Sequence, residues 1–116
     1  PFKPTTDTYL HFGARAPAVL LDGTDYEMWP TVHNGSRYVI PMGMSTSADS
    51  GWDVNVSPVM VETGAGFDEQ MVGFCTVIKH PADTGYQMWY SGFDQTWGSI
   101  GYAVSQYGAG WDKYRE

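Results

Sequence analysis

Short apolar stretches alternate along this chain with clusters of Gly, Asp, Asn and Ser. Residues 16–21, echoed by 75–80, form an apolar run of the kind expected of a strand buried on both faces. Turn-forming residues follow, Asp22-Gly-Thr-Asp25 in one place and Pro81-Ala-Asp-Thr-Gly85 in the other. A second strand is expected at 26–32 and again at 86–91, ending in the polar tips His33-Asn-Gly-Ser36 and Gly92-Phe-Asp-Gln-Thr96. A third is expected at 37–45 and 97–105, and a fourth starting near Trp52 and Trp111. Pro41 falls inside the third strand of the first set, where a missing N–H should disturb pairing. No segment keeps a 3.6-residue period, so the chain reads as all-β.

These elements repeat. Ala18-Val-Leu-Leu21, Tyr26-Glu-Met-Trp29 and Gly51-Trp-Asp53 match Thr76-Val-Ile-Lys79, Tyr86-Gln-Met-Trp89 and Gly110-Trp-Asp112 at offsets of 58, 60 and 59 residues. Met42–Ser47 and Gly101–Ser105 correspond between the last two landmarks. One repeat therefore spans about 1–57 and the other about 58–116. Four-stranded units repeated head to tail are β-propeller blades, and closed propellers have about four to eight. Two blades cannot close a ring, and each needs neighbours on both faces.

Composition narrows the function classes. Five Trp, eight Tyr and five Phe in 116 residues exclude a disordered tail. Thirteen acidic against six basic residues give a net charge of −7, and the basic ones are scattered. A phosphate-binding surface for nucleic acid and attraction to an anionic membrane are both disfavoured. No apolar run approaches the roughly 18 residues of a membrane helix. Neutral ligands such as sugars, or cationic ones, remain compatible. The single cysteine, Cys75, excludes an internal disulfide and a cysteine zinc site. His11, His33 and His80 share no ligand spacing, and neither a metal site nor a cofactor is expected.

The stretch from Trp52 to Tyr114 carries further motifs: Trp52-Asp-Val-Asn-Val-Ser-Pro-Val-Met60, Gly66-Phe-Asp-Glu69, Thr76-Val-Ile-Lys79, Tyr86-Gln-Met-Trp-Tyr-Ser-Gly92, Ser99–Ser105 and Gly110-Trp-Asp-Lys-Tyr114. This stretch resembles one blade of the propeller glycosidases, the superfamily of arabinanases, β-xylosidases, invertases and levansucrases, and the first repeat resembles a more diverged copy. The resemblance implies a five-bladed enzyme fold with an active site at the axial mouth. It also implies three catalytic carboxylates, two of them near the starts of innermost strands, often next to Pro. At those positions stand Ala16 before Pro17 and Phe74 before Cys75, and neither can ionise. Glycoside hydrolysis commonly needs two carboxyl groups about 5 to 9.5 Å apart. The expectation is therefore a non-catalytic propeller that binds carbohydrate or a similar polar ligand. The alternatives are a hydrolase, or a fragment of one, using the loop carboxylates Asp68, Glu69 and Asp94, and a scaffold propeller without a ligand.

The binding residues expected at the mouth are His33, Asn34, Asp94, Gln95 and Trp97 from loops between second and third strands. Arg15, Asp68, Glu69, Phe74 and His11 are expected from segments leading into first strands. Trp29, Trp89, Trp52 and Trp111 sit at repeated positions and read as blade packing, whereas Trp97 has no counterpart. Asp68 also fits a loop hydrogen-bonding role, and Asp22 and Asp25 fit turn chemistry. Cys75 fits packing. Because Trp111–Glu116 breaks off where Trp52–Pro58 runs on, and Pro1–Pro4 resembles the continuation, the expected partner is the chain itself. Three copies making six blades are preferred over two or four.

Overall fold

The computed structural model describes residues 14–33, 35–54, 58–64, 66–68, 70–79, 85–96 and 98–114. They form two antiparallel sheets, one per repeat. The first contains β1 (Ala14–Asp22), β2 (Asp25–His33), β3 (Tyr38–Val39), β4 (Gly43–Ser45) and β5 (Asp53–Val54). Its order is β1-β2-β4-β5, with β3 also paired to β2. The second contains β6 (Met71–Lys79), β7 (Tyr86–Phe93), β8 (Gly98–Ser105) and β9 (Asp112–Lys113), in sequential order. A single 3₁₀ turn, Gly66–Asp68, precedes β6.

Local chemistry explains the differences between the sheets. β8 pairs with β7 along its whole length, whereas its counterpart is split into β3 and β4 around Ile40-Pro41-Met42. Pro41 has no N–H to give, and Ile40 instead bridges to Met60. The β1–β2 turn relies on Gly23 at φ 66°, a conformation that costs glycine little.

The two sheets pack face to face. Trp29, Ile40 and Met42 meet Val72, Val77, Tyr86, Met88, Tyr90 and Ala103 in one buried cluster. Trp29 is fully buried, its indole donating to the Gly108 carbonyl at 2.9 Å and its ring lying 5.7 Å from Tyr86 and 6.3 Å from Trp111. At one end of this seam the Tyr86 hydroxyl donates to Glu27 at 2.7 Å, and Lys79 pairs with Asp22 at 2.7 Å. Burial raises the Glu27 carboxyl above its ordinary value, and the hydrogen bond from Lys79 lowers Asp22.

Two expectations need correction. The first strands are not buried on both faces, since Val19 and Leu21 are 47% and 59% exposed. Trp89, the counterpart of Trp29, is not core but 39% exposed. Both follow from one cause. Two blades have a single seam, so Val19 and Leu21 on β1 and Trp89 on β7 face away from it, whereas β2 is buried on both faces.

Candidate functional site

β1 and β6 each carry the same irregularity near their beginnings. Pairing with the next strand slips by one residue between Arg15 and Ala18, and again between Gly73 and Thr76. Within these bulges Ala16 and Phe74 adopt φ of 48° and 54°, a left-handed conformation unusual for residues with a side chain. Such strain costs on the order of 1–3 kcal/mol and persists only where the surroundings enforce it. Here the Phe74 N–H donates to the Thr31 hydroxyl of the other blade at 2.6 Å, and the Cys75 thiol faces the Trp29 carbonyl at 3.4 Å. Burial pushes the Cys75 thiol up to about 12, so it is neutral and fills space at neutral pH.

The bulges put Arg15 and Phe74 at the end of the molecule where the β2–β3 and β7–β8 loops lie, because Ala14 pairs with Val32 and Met71 with Phe93. Around Phe74, 41% exposed, an aromatic shelf forms. Its ring is 5.8 Å from Tyr38 and 6.3 Å from Phe93, both at steep angles. Tyr38 also stacks edge-on with His33 at 5.0 Å and carries the Arg15 guanidinium over its face at 5.2 Å. His33 Nδ1 accepts from the Gly35 N–H at 3.0 Å, which fixes its ring. At the same end a groove of about 450 Å³ opens between the blades, lined by Ser36, Arg37, Gln70, Met71 and Gln95. Arg37 is held by Glu62 at 2.9 Å.

The structure thus gathers Arg15, His33 and Phe74 on one shelf and places Gln95 in the groove. Asp94 is half-buried, and its Oδ1 accepts from the Thr96 N–H at 2.7 Å, capping its own loop. Asp68 goes elsewhere. It is fully buried, accepting from Lys113 at 2.7 Å and from the Tyr90 hydroxyl at 3.1 Å. Lys113 belongs to the outermost strand and also donates to the Val61 carbonyl and the Thr63 hydroxyl, so this carboxylate ties a loop to the blade's outer edge. Asn34, Trp97, Glu69, His11 and His80 lie outside the described residues. Tyr38, Phe93, Arg37 and Gln70 were not anticipated. Alternation along β7 from Trp89 through Ser91 to Phe93 could have exposed Phe93, and the cross-strand position opposite His33 could have exposed Tyr38.

Two bulged antiparallel sheets, of five and four strands, have the blade architecture of a β-propeller, a fold shared by solved glycoside hydrolases. Solved structures bear this out. A glycosyl hydrolase from Bacteroides ovatus superposes with a TM-score of 0.78 at 13% identity, over 90% of this chain and 32% of that one. A family 117 glycoside hydrolase from the marine bacterium Zobellia galactanivorans gives 0.81 at 14% identity, over 97% of this chain and 35% of that one. An exo-β-1,3-galactanase from Phanerochaete chrysosporium gives 0.69 at 16% identity, over 89% and 26%. The chain spans about a third of the length of the first of these structures. No protein-family pattern and no curated protein matches the sequence.

Proposed function

We propose that the chain binds a neutral carbohydrate at the mouth formed by the bulged strand starts and does not hydrolyse it. The observation that carries this reading is Phe74. At the position where the resemblance implies an acid, this chain has a left-handed bend that presents an aromatic ring. A ring face gives apolar contact to the C–H face of a sugar, and neighbouring planar donors read its hydroxyls. Phe74, Tyr38 and Phe93 supply the first kind of surface, and Arg15, Arg37, Gln70 and Gln95 the second. A groove of about 450 Å³ suits one or two sugar rings.

Isothermal titration against neutral oligosaccharides, guided by a glycan array, tests the reading. Binding should weaken about ten-fold or more in Phe74→Ala, in keeping with the loss of one well-packed aromatic contact. A second reading keeps the hydrolytic activity that the solved neighbours carry in their names, with Asp94 and Glu69 as the carboxylates. Turnover of aryl glycosides that disappears in Asp94→Asn would decide for it and against binding alone.

A further inference from the structure

The aromatic shelf and the polar groove are neighbours, and both straddle the seam between the blades. On the first blade, Tyr38 of the shelf directly follows Arg37 of the groove. On the second, Phe93 of the shelf pairs in register with Met71 of the groove, and its carbonyl accepts from the Gln70 N–H at 2.9 Å. Phe74 lies further along β6 than Met71, and at about 3.3 Å per strand residue the shelf and the groove are centred roughly 10 Å apart. One sugar ring does not bridge that span, and two linked rings do. We propose that the ligand is a linked pair of neutral sugar residues, the first on Phe74 and the second in the groove between Arg37 and Gln95. This rests on the carbohydrate binding proposed above, and adds the ligand's length and its course along the seam.

The two places differ in chemistry as adjoining subsites should. Phe74 is the most exposed ring of the shelf, and Tyr38 and Phe93 brace it at 64° and 73°. It offers apolar contact to a sugar face. The groove instead presents the exposed Gln70 and Gln95. A carboxamide both donates and accepts, which suits hydroxyl groups that do the same. The Arg37 cation is compensated by Glu62 at 2.9 Å, so the groove favours a neutral sugar residue over an anionic one. These parts are in place before a ligand arrives. The Asp94 cap fixes the loop that carries Gln95, and a Cβ on Gly98 would lie 3.3 Å from the Phe93 ring, so ring and hairpin fit closely. A site built in advance loses less to ordering on binding.

Isothermal titration with neutral gluco-, galacto-, manno- and xylo-oligosaccharides of increasing length tests the pairing. In a series that binds, the disaccharide should bind about ten-fold tighter than the monosaccharide, the worth of one or two hydrogen bonds, with little further gain in longer members. The Gln70→Ala/Gln95→Ala protein, altered only at exposed positions and checked for folding by circular dichroism, should bring the ratio of disaccharide to monosaccharide affinity close to one. Phe74→Ala should weaken both ligands together. A disaccharide that binds no tighter than its monosaccharide overturns the two-ring site and leaves carbohydrate binding standing. So does a ratio that the folded double glutamine variant leaves unmoved. Failure of every series at every length overturns both.

Discussion

Gly73 is the sharpest test of how the two blades fit together. Its backbone is not left-handed, so alanine is excluded by space alone. The added Cβ would sit 2.7 Å from the Thr31 γ-methyl, well inside the 3.5–4.0 Å at which carbon atoms attract. Thr31 is fully buried between the sheets, and its hydroxyl is held by the Phe74 N–H, so it has little freedom to withdraw. Overpacking of this kind costs about 1–3 kcal/mol. The lost flexibility of the unfolded chain returns about 0.4–1 kcal/mol. The net expectation for Gly73→Ala is a destabilisation of about 1–2 kcal/mol, or a fall in Tm of roughly 4–8 °C for a domain of this size. Thr31→Ser removes the offending methyl and leaves the hydroxyl oxygen 3.5 Å from the new Cβ, an ordinary contact. In the Thr31→Ser/Gly73→Ala protein most of the loss should disappear, giving a favourable coupling of about 1 kcal/mol in a double-mutant cycle. Thermal and urea unfolding of the four proteins measures it. Additive effects, or a Gly73→Ala protein as stable as its parent, would refute the steric account of the seam.

Trp29→Ala should cost about 3–5 kcal/mol by denaturant unfolding, because it empties the centre of the seam and removes one of the two indole donors to the Gly108 carbonyl; Trp89→Ala, at a position 39% exposed, should cost far less. Lys113→Met leaves the fully buried Asp68 carboxylate without its cation and should destabilise by about 3–5 kcal/mol in the same assay. Burial raises the Glu27 carboxyl, so the folded chain retains there a proton that the unfolded chain releases, and that contribution to stability is lost as pH rises above the ordinary value of 4.5. Glu27→Gln keeps an acceptor for Tyr86 and removes the titration, so its stability relative to the parent should increase from pH 4.5 toward neutrality when unfolding is followed across pH. Asp22 has the opposite sign, since Lys79 lowers it. Its contribution is present above 3.8 and fades on acidification, and Asp22→Asn should flatten the acid limb of the same curve.

The blades were legible because their signals are local and doubled. A Tyr-x-Met-Trp strand, a Gly-Trp-Asp segment and an intervening turn each occur twice at one spacing, and Pro41 announces the break between β3 and β4 by its missing donor. The site was less legible because it depends on where strands slip. Nothing in Gly13-Ala-Arg-Ala-Pro17 or Val72-Gly-Phe-Cys-Thr76 marks a bulge by composition. Yet the one-residue slip turns Phe74 toward Tyr38 and Phe93, making a shelf from three residues distant in sequence. Asp68 shows the converse. Its motif suggested a loop acid near the mouth, but a lysine 45 residues further on, on the outermost strand, takes its carboxylate into the blade. A single charge pattern cannot foretell that pairing, because Lys113 is one of six basic residues against thirteen acids. Repetition explains both the success and its boundary. Where the two copies agree, as at Trp29 and Trp89, the position belongs to the blade, and its exposure is set by whether a neighbour is present. Where they differ, as at Thr31 and Ser91 or Gly73 and Arg15, the difference marks the seam that the two blades make with each other, where Thr31 meets Gly73 and Phe74.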